Sequence, residues 1–323
     1  MKKKITLISS CFILLLIISI FSFSSYEYSE NMSVLKNLKE KYTIFAIPKP
    51  IKNIYFANER VPLENPDIWE RYDKELLKNI YWQSNTLLLF KRAEKYFPVI
   101  EPILKKNNLP NDFKYLALIE SGLENVTSPK GAKGFWQFLK STAIEFNLEV
   151  NSEVDERFHI QKSTQAACDF LNSAKDYFGN WTLAAAAYNM GKSGLMKQIN
   201  RQKSNTYYDL LLNNETSRYV FRILAIKEII ENPKKYGFQF RSEDLYKNIP
   251  TFLVMVDTTI DSWADFSEDY GINYKILKLH NPWLRESYLK NKFKRKYYLQ
   301  IPINGSYFLQ NNITQSDSNR FNE

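Results

Sequence analysis

The chain contains few of the side chains that form disulfides or bind metals: two cysteines and two histidines in 323 residues. Cys11 lies in the amino-terminal apolar run, and Cys168 lies in an apolar helical pattern where we expect a small buried side chain. We therefore expect no intrachain disulfide. His159 and His280 belong to other motifs and suggest no Cys–His pair. No cluster has metal-ligand spacing, so we expect neither a metal nor a cofactor.

Acidic residues are absent before Glu27, and this absence marks a targeting segment. Three lysines at 2–4 precede an apolar run from Ile5 to about Phe23, which predicts a secretory signal in residues 1–25. The run is also nearly long enough to span a bilayer, for which roughly 20 residues suffice. We expect export to the cell envelope, in the periplasm. Signal cleavage, an uncleaved membrane anchor at residues 5–25 and lipidation at Cys11 remain alternatives.

The chain also lacks a nucleic-acid-binding motif, although its formal net charge is +9. Basic chains commonly bind nucleic acid or another anionic polymer. Export argues against nucleic acid, which we do not expect as a partner. The densest basic run, residues 290–296, predicts a solvated loop.

Four regions follow the amino-terminal segment, and none contains an internal repeat. Residues 26–63 are polar and rich in proline, which predicts an extended arm that either packs on the next domain or links it to the membrane. Residues 64–240 have a mainly helical pattern. Short strand-like and helical segments alternate over residues 250–303. The tail, 304–323, is rich in Asn, Ser and Gln and is expected to be disordered.

The helical region contains several apolar stripes of helical period. We predict a buried helix from Asn111 to Glu120 that stops at Gly122, and a helix capped by Ser163 that ends at Gly179. A third helix runs from Trp181 to Met190. Its four consecutive alanines, 184–187, predict close packing against neighbouring helices. A fourth helix begins near Thr216.

Glu120 is the most informative side chain. It lies on the same stripe as Phe113, Leu116 and Ala117, where an unpaired charge is costly. Burial would raise the pKa of its carboxyl and let it act as a general acid near neutral pH. From the helix alone, an equal alternative is a helix-end glutamate that points to water or pairs with a lysine.

Two segments later in the chain contain residues that could contact a ligand near Glu120. The pair Gly131 and Gly134 permits a tight turn and close approach of a ligand, and Trp136 and Gln137 follow at once. Residues 186–191 end a buried helix with Tyr, Asn, Met and Gly. Each segment alone is equally compatible with an ordinary turn or helix cap.

Together and in this order, these segments resemble the catalytic domain of lytic transglycosylases. The resemblance covers about residues 64–238 and is nearest to the membrane-bound lytic murein transglycosylase D type. It rests on residues 120–121, 131–138, 155–157, 186–191 and 215–220. It implies a mainly α, goose-type lysozyme-like fold for residues 64–240.

The resemblance also implies site roles. Glu120 would be the single catalytic acid and base, cleaving peptidoglycan glycan strands without water to leave 1,6-anhydromuramyl ends. The implied substrate-binding residues are Ser121, Ser128, Gln137, Tyr188, Asn189, Glu215 and Tyr219. Asp155 and Arg157 look structural, either pairing or capping.

The segment from 250 to 303 resembles a divergent LysM module with β-α-α-β order. LysM modules bind N-acetylglucosamine polymers, so this one would either tether the enzyme to its substrate or serve only as a packing domain. Two rival functions remain. A hydrolytic lysozyme of the same fold would need a second acid, for which Asp155 is the candidate, and an inactive wall-binding protein would need none. Oligomeric state is left open.

Overall fold

A computed structural model describes residues 32–33, 45–47, 53–303 and 305–307. The predicted signal or anchor and nearly all of the predicted tail lie outside the described residues. The structure is mainly helical, with a small antiparallel sheet in the carboxyl-terminal part, as predicted. Among the described residues, no helix is both long and apolar enough to cross a membrane.

Residues 53–63, the end of the predicted arm, form a hairpin that packs on the helical domain, one of the two arrangements left open for the arm. Strands β1 (Tyr55–Phe56) and β2 (Glu59–Arg60) pair antiparallel. The two residues between them both have positive φ, the geometry of a tight hairpin turn. Phe56 is fully buried, with its ring 5.4 Å from that of Phe113. Burial of this aromatic ring fixes the segment on the helical domain.

Eight α-helices build the domain that follows. They are α1 (Pro66–Tyr81), α2 (Gln83–Lys106), α3 (Lys114–Ser121), α4 (Lys140–Glu145), α5 (Ile160–Phe178), α6 (Trp181–Met190), α7 (Lys192–Gln202) and α8 (Asn214–Glu231). Helix α6 contacts α5, α7 and α8, and its alanines 184–187 are fully buried. The central position predicted from these small side chains is confirmed.

The helices end at the two glycines predicted as stops, but one predicted helix start is wrong. Gly122 and Gly179 adopt left-handed conformations after α3 and α5, as predicted. Ser163 does not cap α5, because that helix begins earlier, at Ile160. The Ser163 hydroxyl is buried in the first turn and donates to the His159 carbonyl at 2.9 Å. Serine competes for backbone carbonyls inside helices as well as at caps, so this residue type alone did not locate the boundary.

The carboxyl-terminal module follows the predicted β-α-α-β order. Its elements are β3 (Thr251–Val256), α9 (Trp263–Asp269), α10 (Tyr274–His280) and β4 (Tyr297–Pro302). The strands pair antiparallel with Thr251 opposite Pro302 and Val256 opposite Tyr297. Ser262 and Asn273 cap the two helices with their side chains.

The module shares its hydrophobic core with the helical domain. Val154 and Phe158, from the segment before α5, belong to the same buried cluster as Trp263, Leu277 and Leu299 of the module. The backbone amide of Asp155 donates to the Trp283 carbonyl at 2.9 Å. The two parts therefore meet through buried apolar surface and backbone hydrogen bonds.

Candidate active site

Glu120 lies near the end of α3, one turn beyond the buried part of its stripe. Phe113, Leu116 and Ala117 are fully buried, while Glu120 itself is half-buried. The short 3₁₀ turn Asn111–Phe113 precedes the helix, and Gly122 ends it with φ +63°. The apolar stripe predicted from the sequence therefore delivers one carboxylate to the edge of the core.

The pKa of Glu120 is raised above its ordinary value, chiefly because burial disfavours the charged form. A hydrogen bond from the Tyr219 hydroxyl to Glu120 Oε1 opposes this shift, as does the Arg222 guanidinium. The nearby Glu215 carboxylate raises the pKa further. A carboxyl whose surroundings favour its protonated form is suited to donate a proton to a bound substrate.

A cleft of about 510 Å³ opens beside Glu120. Five residues that the resemblance assigned to substrate binding line it together with the catalytic candidate: Ser128, Gln137, Tyr188, Asn189 and Glu215. Residues from segments more than 90 positions apart are therefore brought to one surface. Its volume is within the roughly 300–1,000 Å³ typical of ligand sites.

Two other residues assigned to substrate binding take different positions. The Ser121 hydroxyl donates to the Phe135 carbonyl at 2.8 Å and does not line the cleft. Tyr219 is fully buried and reaches Glu120 from within the core. In this arrangement Ser121 holds the glycine-rich segment, residues 131–138, against α3, and Tyr219 positions the catalytic candidate.

Arg157 holds the glycine-rich segment from the other side. It forms a buried ion pair with Asp155 at 2.8 Å and donates to the carbonyls of Gly131 and Phe138 at 3.2 and 3.3 Å. A Cβ on Gly134 would lie 1.9 Å from the Arg157 carbonyl oxygen, so only glycine fits there. The prediction that Asp155 and Arg157 are structural agrees with these contacts.

Hydrogen bonds also orient the polar side chains that α6 and α8 contribute to the cleft. The Asn189 amide donates to Glu215 at 3.0 Å and accepts from the Thr216 hydroxyl at 2.7 Å. The Tyr188 hydroxyl donates to the Trp136 carbonyl at 2.7 Å. The end of α6 is thus tied both to the start of α8 and to the glycine-rich segment.

Two features of the site were not predicted from the sequence: the position of Arg222 and the apolar lining of the cleft. Arg222 acts on Glu120 electrostatically and donates to the Ile119 carbonyl at 2.6 Å. Its position three residues after Tyr219 on one helix face was an available signal. The ring of Phe170 and the side chain of Met190 also line the cleft. Apolar residues on a helix give no sign in the sequence of whether they face a core or a ligand.

A second cavity, of about 730 Å³, begins at Glu215, which lines both cavities. Its walls include Trp82, whose side chain is exposed, together with Arg218 and Arg222. Arg218 pairs with the buried Glu75 at 2.6 Å, which fixes the guanidinium at this wall. The two cavities therefore meet at one carboxylate beside Glu120.

Comparisons with known proteins agree with this geometry. Residues 97–211 match the Transglycosylase SLT domain, and residues 252–305 match the Soluble lytic transglycosylase C-terminal LysM-like domain. Membrane-bound lytic murein transglycosylase D of Escherichia coli, in strain K12 and in strain O6:H1, is 32% identical over 70% of this chain. The match covers 50% of each E. coli protein, so the chain spans about half the length of these relatives.

A Putative tributyltin chloride resistance protein of Alteromonas sp. (strain M-1) is 31% identical over 49% of this chain and 79% of its own length. The predicted lysozyme-like domain and LysM-like module are both confirmed by the family matches. The chain therefore combines a transglycosylase SLT domain with a soluble lytic transglycosylase C-terminal LysM-like domain.

Proposed function

We propose that this protein cleaves the glycan strands of peptidoglycan without water, at the bond between N-acetylmuramic acid and N-acetylglucosamine. The observation that carries the proposal is the half-buried Glu120, whose raised pKa suits a general acid at the edge of a sugar-sized cleft. The names of the E. coli relatives include lytic murein transglycosylase activity, which supports the same reaction.

One carboxyl is sufficient for this chemistry. Protonated Glu120 gives its proton to the glycosidic oxygen as the bond to the muramyl anomeric carbon breaks. The oxygen of the 2-acetamido group stabilises the positive charge at that carbon. Glu120, now a base, removes the proton from the muramyl 6-hydroxyl while O6 bonds to the anomeric carbon. The product is a 1,6-anhydromuramyl end, and Glu120 is protonated again.

A hydrolytic mechanism needs a second carboxylate in the cleft. Asp155, the candidate from the sequence, is buried in its ion pair with Arg157 and does not line the cleft. Glu215 does line it, and the Asn189 amide orients its carboxylate. Glu215 is therefore the residue that a hydrolase would use to activate water, and its variant separates the two reactions.

Two other parts of the molecule, the cavity at Trp82 and the LysM-like module, are suited to binding a glycan polymer. The cavity with the exposed Trp82 extends the cleft beyond Glu215 and offers an aromatic face on which a further sugar can stack. We assign glycan tethering to the LysM-like module. We further propose that the protein acts in cell-wall remodelling or turnover in the envelope, since the E. coli relatives are membrane-bound by name.

The test is mass spectrometry of the soluble products from purified peptidoglycan, using the parent protein and the variants Glu120→Gln and Glu215→Gln. We expect 1,6-anhydro ends from the parent protein and a loss of at least about 10²-fold in Glu120→Gln, the usual contribution of a general acid. Glu215→Gln should give the same anhydro ends at a lower rate, because its role is to bind and orient.

Two results would contradict the proposal. Reducing ends one water heavier than the anhydro product, lost in Glu215→Gln, would mean a hydrolase with two carboxylates. Retention of wall binding without any product from the parent protein would mean a binding protein. Circular dichroism of both variants controls for misfolding, since each change preserves side-chain size.

A further inference from the structure

A separate cavity of about 220 Å³ lies between the helical domain and the carboxyl-terminal module. None of the residues around it lines the cleft at Glu120 or the cavity at Trp82. Helix α2 contributes Lys95 and Tyr96, the module contributes His280 and Trp283, and Tyr307 follows the last strand. Drug-sized ligand sites measure roughly 300–1,000 Å³, so an occupant here is no larger than one sugar or a dipeptide.

One cationic side chain lines the cavity. Lys95 is half-buried and lines it, and no Asp or Glu does so. Within the part of the chain that the structure describes, the Lys95 ammonium has no carboxylate partner. Both histidines also line the cavity and are neutral at pH 7, because burial lowers the pKa of His159 to about 4 and, with the Lys95 charge, lowers that of His280. Lys95 therefore supplies the positive charge.

Neutral donors and aromatic rings complete the lining. The four side-chain amides at the cavity belong to Asn125, Gln161, Asn248 and Gln300. None of these amide groups makes a hydrogen bond within the described ranges, 32–33, 45–47, 53–303 and 305–307. Tyr96 and Trp283 form apolar walls. The Lys95 ammonium lies over the Tyr96 ring but has no carboxylate partner, and the amides are free to bond. Together these groups suit a small ligand with a carboxylate and an amide.

We propose that this cavity binds a carboxylate-bearing fragment of peptidoglycan, with Lys95 pairing its carboxylate. The choice of a peptidoglycan fragment as ligand rests on the proposed function. The binding site itself is inferred from the cavity and its lining residues. Two parts of the polymer have the required chemistry: the lactyl group of N-acetylmuramic acid and the carboxyl-terminal end of a stem peptide. The amide side chains then bond to the acetamido or peptide group.

The test measures binding by isothermal titration calorimetry to the full-length Glu120→Gln protein, which removes turnover. The probes are N-acetylmuramic acid, N-acetylglucosamine, which lacks the lactyl carboxylate, and D-alanyl-D-alanine. The variant Lys95→Met should weaken binding about tenfold or more, the effect of losing one charged hydrogen bond. Lys105→Met is the matched control, because Lys105 is exposed at the end of the same helix.

Binding of N-acetylmuramic acid but not N-acetylglucosamine, sensitive to Lys95→Met, would support the lactyl source. Binding of the dipeptide with the same sensitivity would support the stem-peptide source. The inference is wrong if neither N-acetylmuramic acid nor the dipeptide binds more tightly than N-acetylglucosamine, or if Lys95→Met behaves like Lys105→Met. Activity on peptidoglycan is measured separately with the parent protein, so failure of the lytic reaction leaves this result independent.

Discussion

At the scale of single residues, Glu120 and Tyr219 form a pair with opposed effects. Burial raises the pKa of the Glu120 carboxyl, and the hydrogen bond from Tyr219 lowers it. Burial also raises the pKa of the Tyr219 phenol well above its ordinary value, so the hydroxyl stays protonated and remains a donor. In the proposed mechanism, burial favours the protonated acid, and the Tyr219 hydroxyl stabilises the ionised form that acts as a base.

Replacing Tyr219 with Phe tests this balance. The change removes a donor that stabilises the charged carboxylate, so the pKa of Glu120 rises further. Because the acid step needs protonated Glu120, the alkaline limb of the rate profile should move to higher pH. The measurement is the release of soluble muropeptides against pH.

Tyr188→Phe is the matched control, since the Tyr188 hydroxyl donates to the Trp136 carbonyl in the same cleft and not to Glu120. Its alkaline limb should stay at the parent position. An unshifted limb in Tyr219→Phe, with a folded protein by circular dichroism, would show that Tyr219 does not tune the acid.

At the scale of elements, the position of the glycine-rich segment depends on close packing of its backbone against neighbouring backbone. It lies between Ser121 on α3 and Arg157 before α5, both of which bond to its carbonyls. Gly131 and Gly134 have nearly equal φ values, +79° and +78°. The added Cβ would contact nothing within 4 Å at Gly131, but would overlap the Arg157 backbone at Gly134.

Gly134→Ala should therefore lower the free energy of unfolding by about 3 kcal/mol or more, because backbone must move in addition to the left-handed strain. Gly131→Ala should cost only about 1 kcal/mol, from the strain alone. Urea unfolding of both variants compares them directly. Equal losses would mean that the contact with Arg157 does not constrain the segment.

A buried ion pair at the same place gives a second test. Arg157→Met should cost about 3–5 kcal/mol, because it leaves the Asp155 carboxylate buried without its main partner. The exposed Arg60–Glu64 pair is the comparison, and Arg60→Met should cost under about 1 kcal/mol. Thermal unfolding measures both. A loss below 1 kcal/mol for Arg157→Met would show that this ion pair contributes little to stability.

At the scale of the whole molecule, the helical domain and the LysM-like module are joined by a common core. Val154 and Phe158 complete the buried cluster of the module, and the buried Trp283 lies 5.5 Å from the His159 ring. Shared apolar burial links the stabilities of two parts. We therefore expect residues 53–303 to unfold as one cooperative unit.

Trp283→Ala should lower the stability of the whole unit by about 3–5 kcal/mol, the usual result of removing a buried tryptophan. Phe293→Ala is the control, since its side chain is 84% exposed and should change stability by under about 0.5 kcal/mol. Differential scanning calorimetry should show one transition that moves only in Trp283→Ala. Two transitions, of which only one moves, would mean that the module unfolds independently.

The sequence by itself determined the features that depend on neighbours along the chain. Apolar period, the glycine stops and the alanine run located α3, α5 and α6, and the strand pattern located β3 and β4. The stripe through Phe113 and Leu116 also singled out Glu120. Such signals survive because helix and strand geometry repeat over a few residues.

Only the tertiary structure decided which distant groups meet. Tyr219 reaches Glu120 across 99 residues of chain, Arg157 holds the carbonyls of the glycine-rich segment, and the 53–63 hairpin packs Phe56 against Phe113. It also decided that Asp155 is buried away from the cleft while Glu215 faces it. Local periodicity cannot encode these contacts, because each depends on how the helices pack around the shared core.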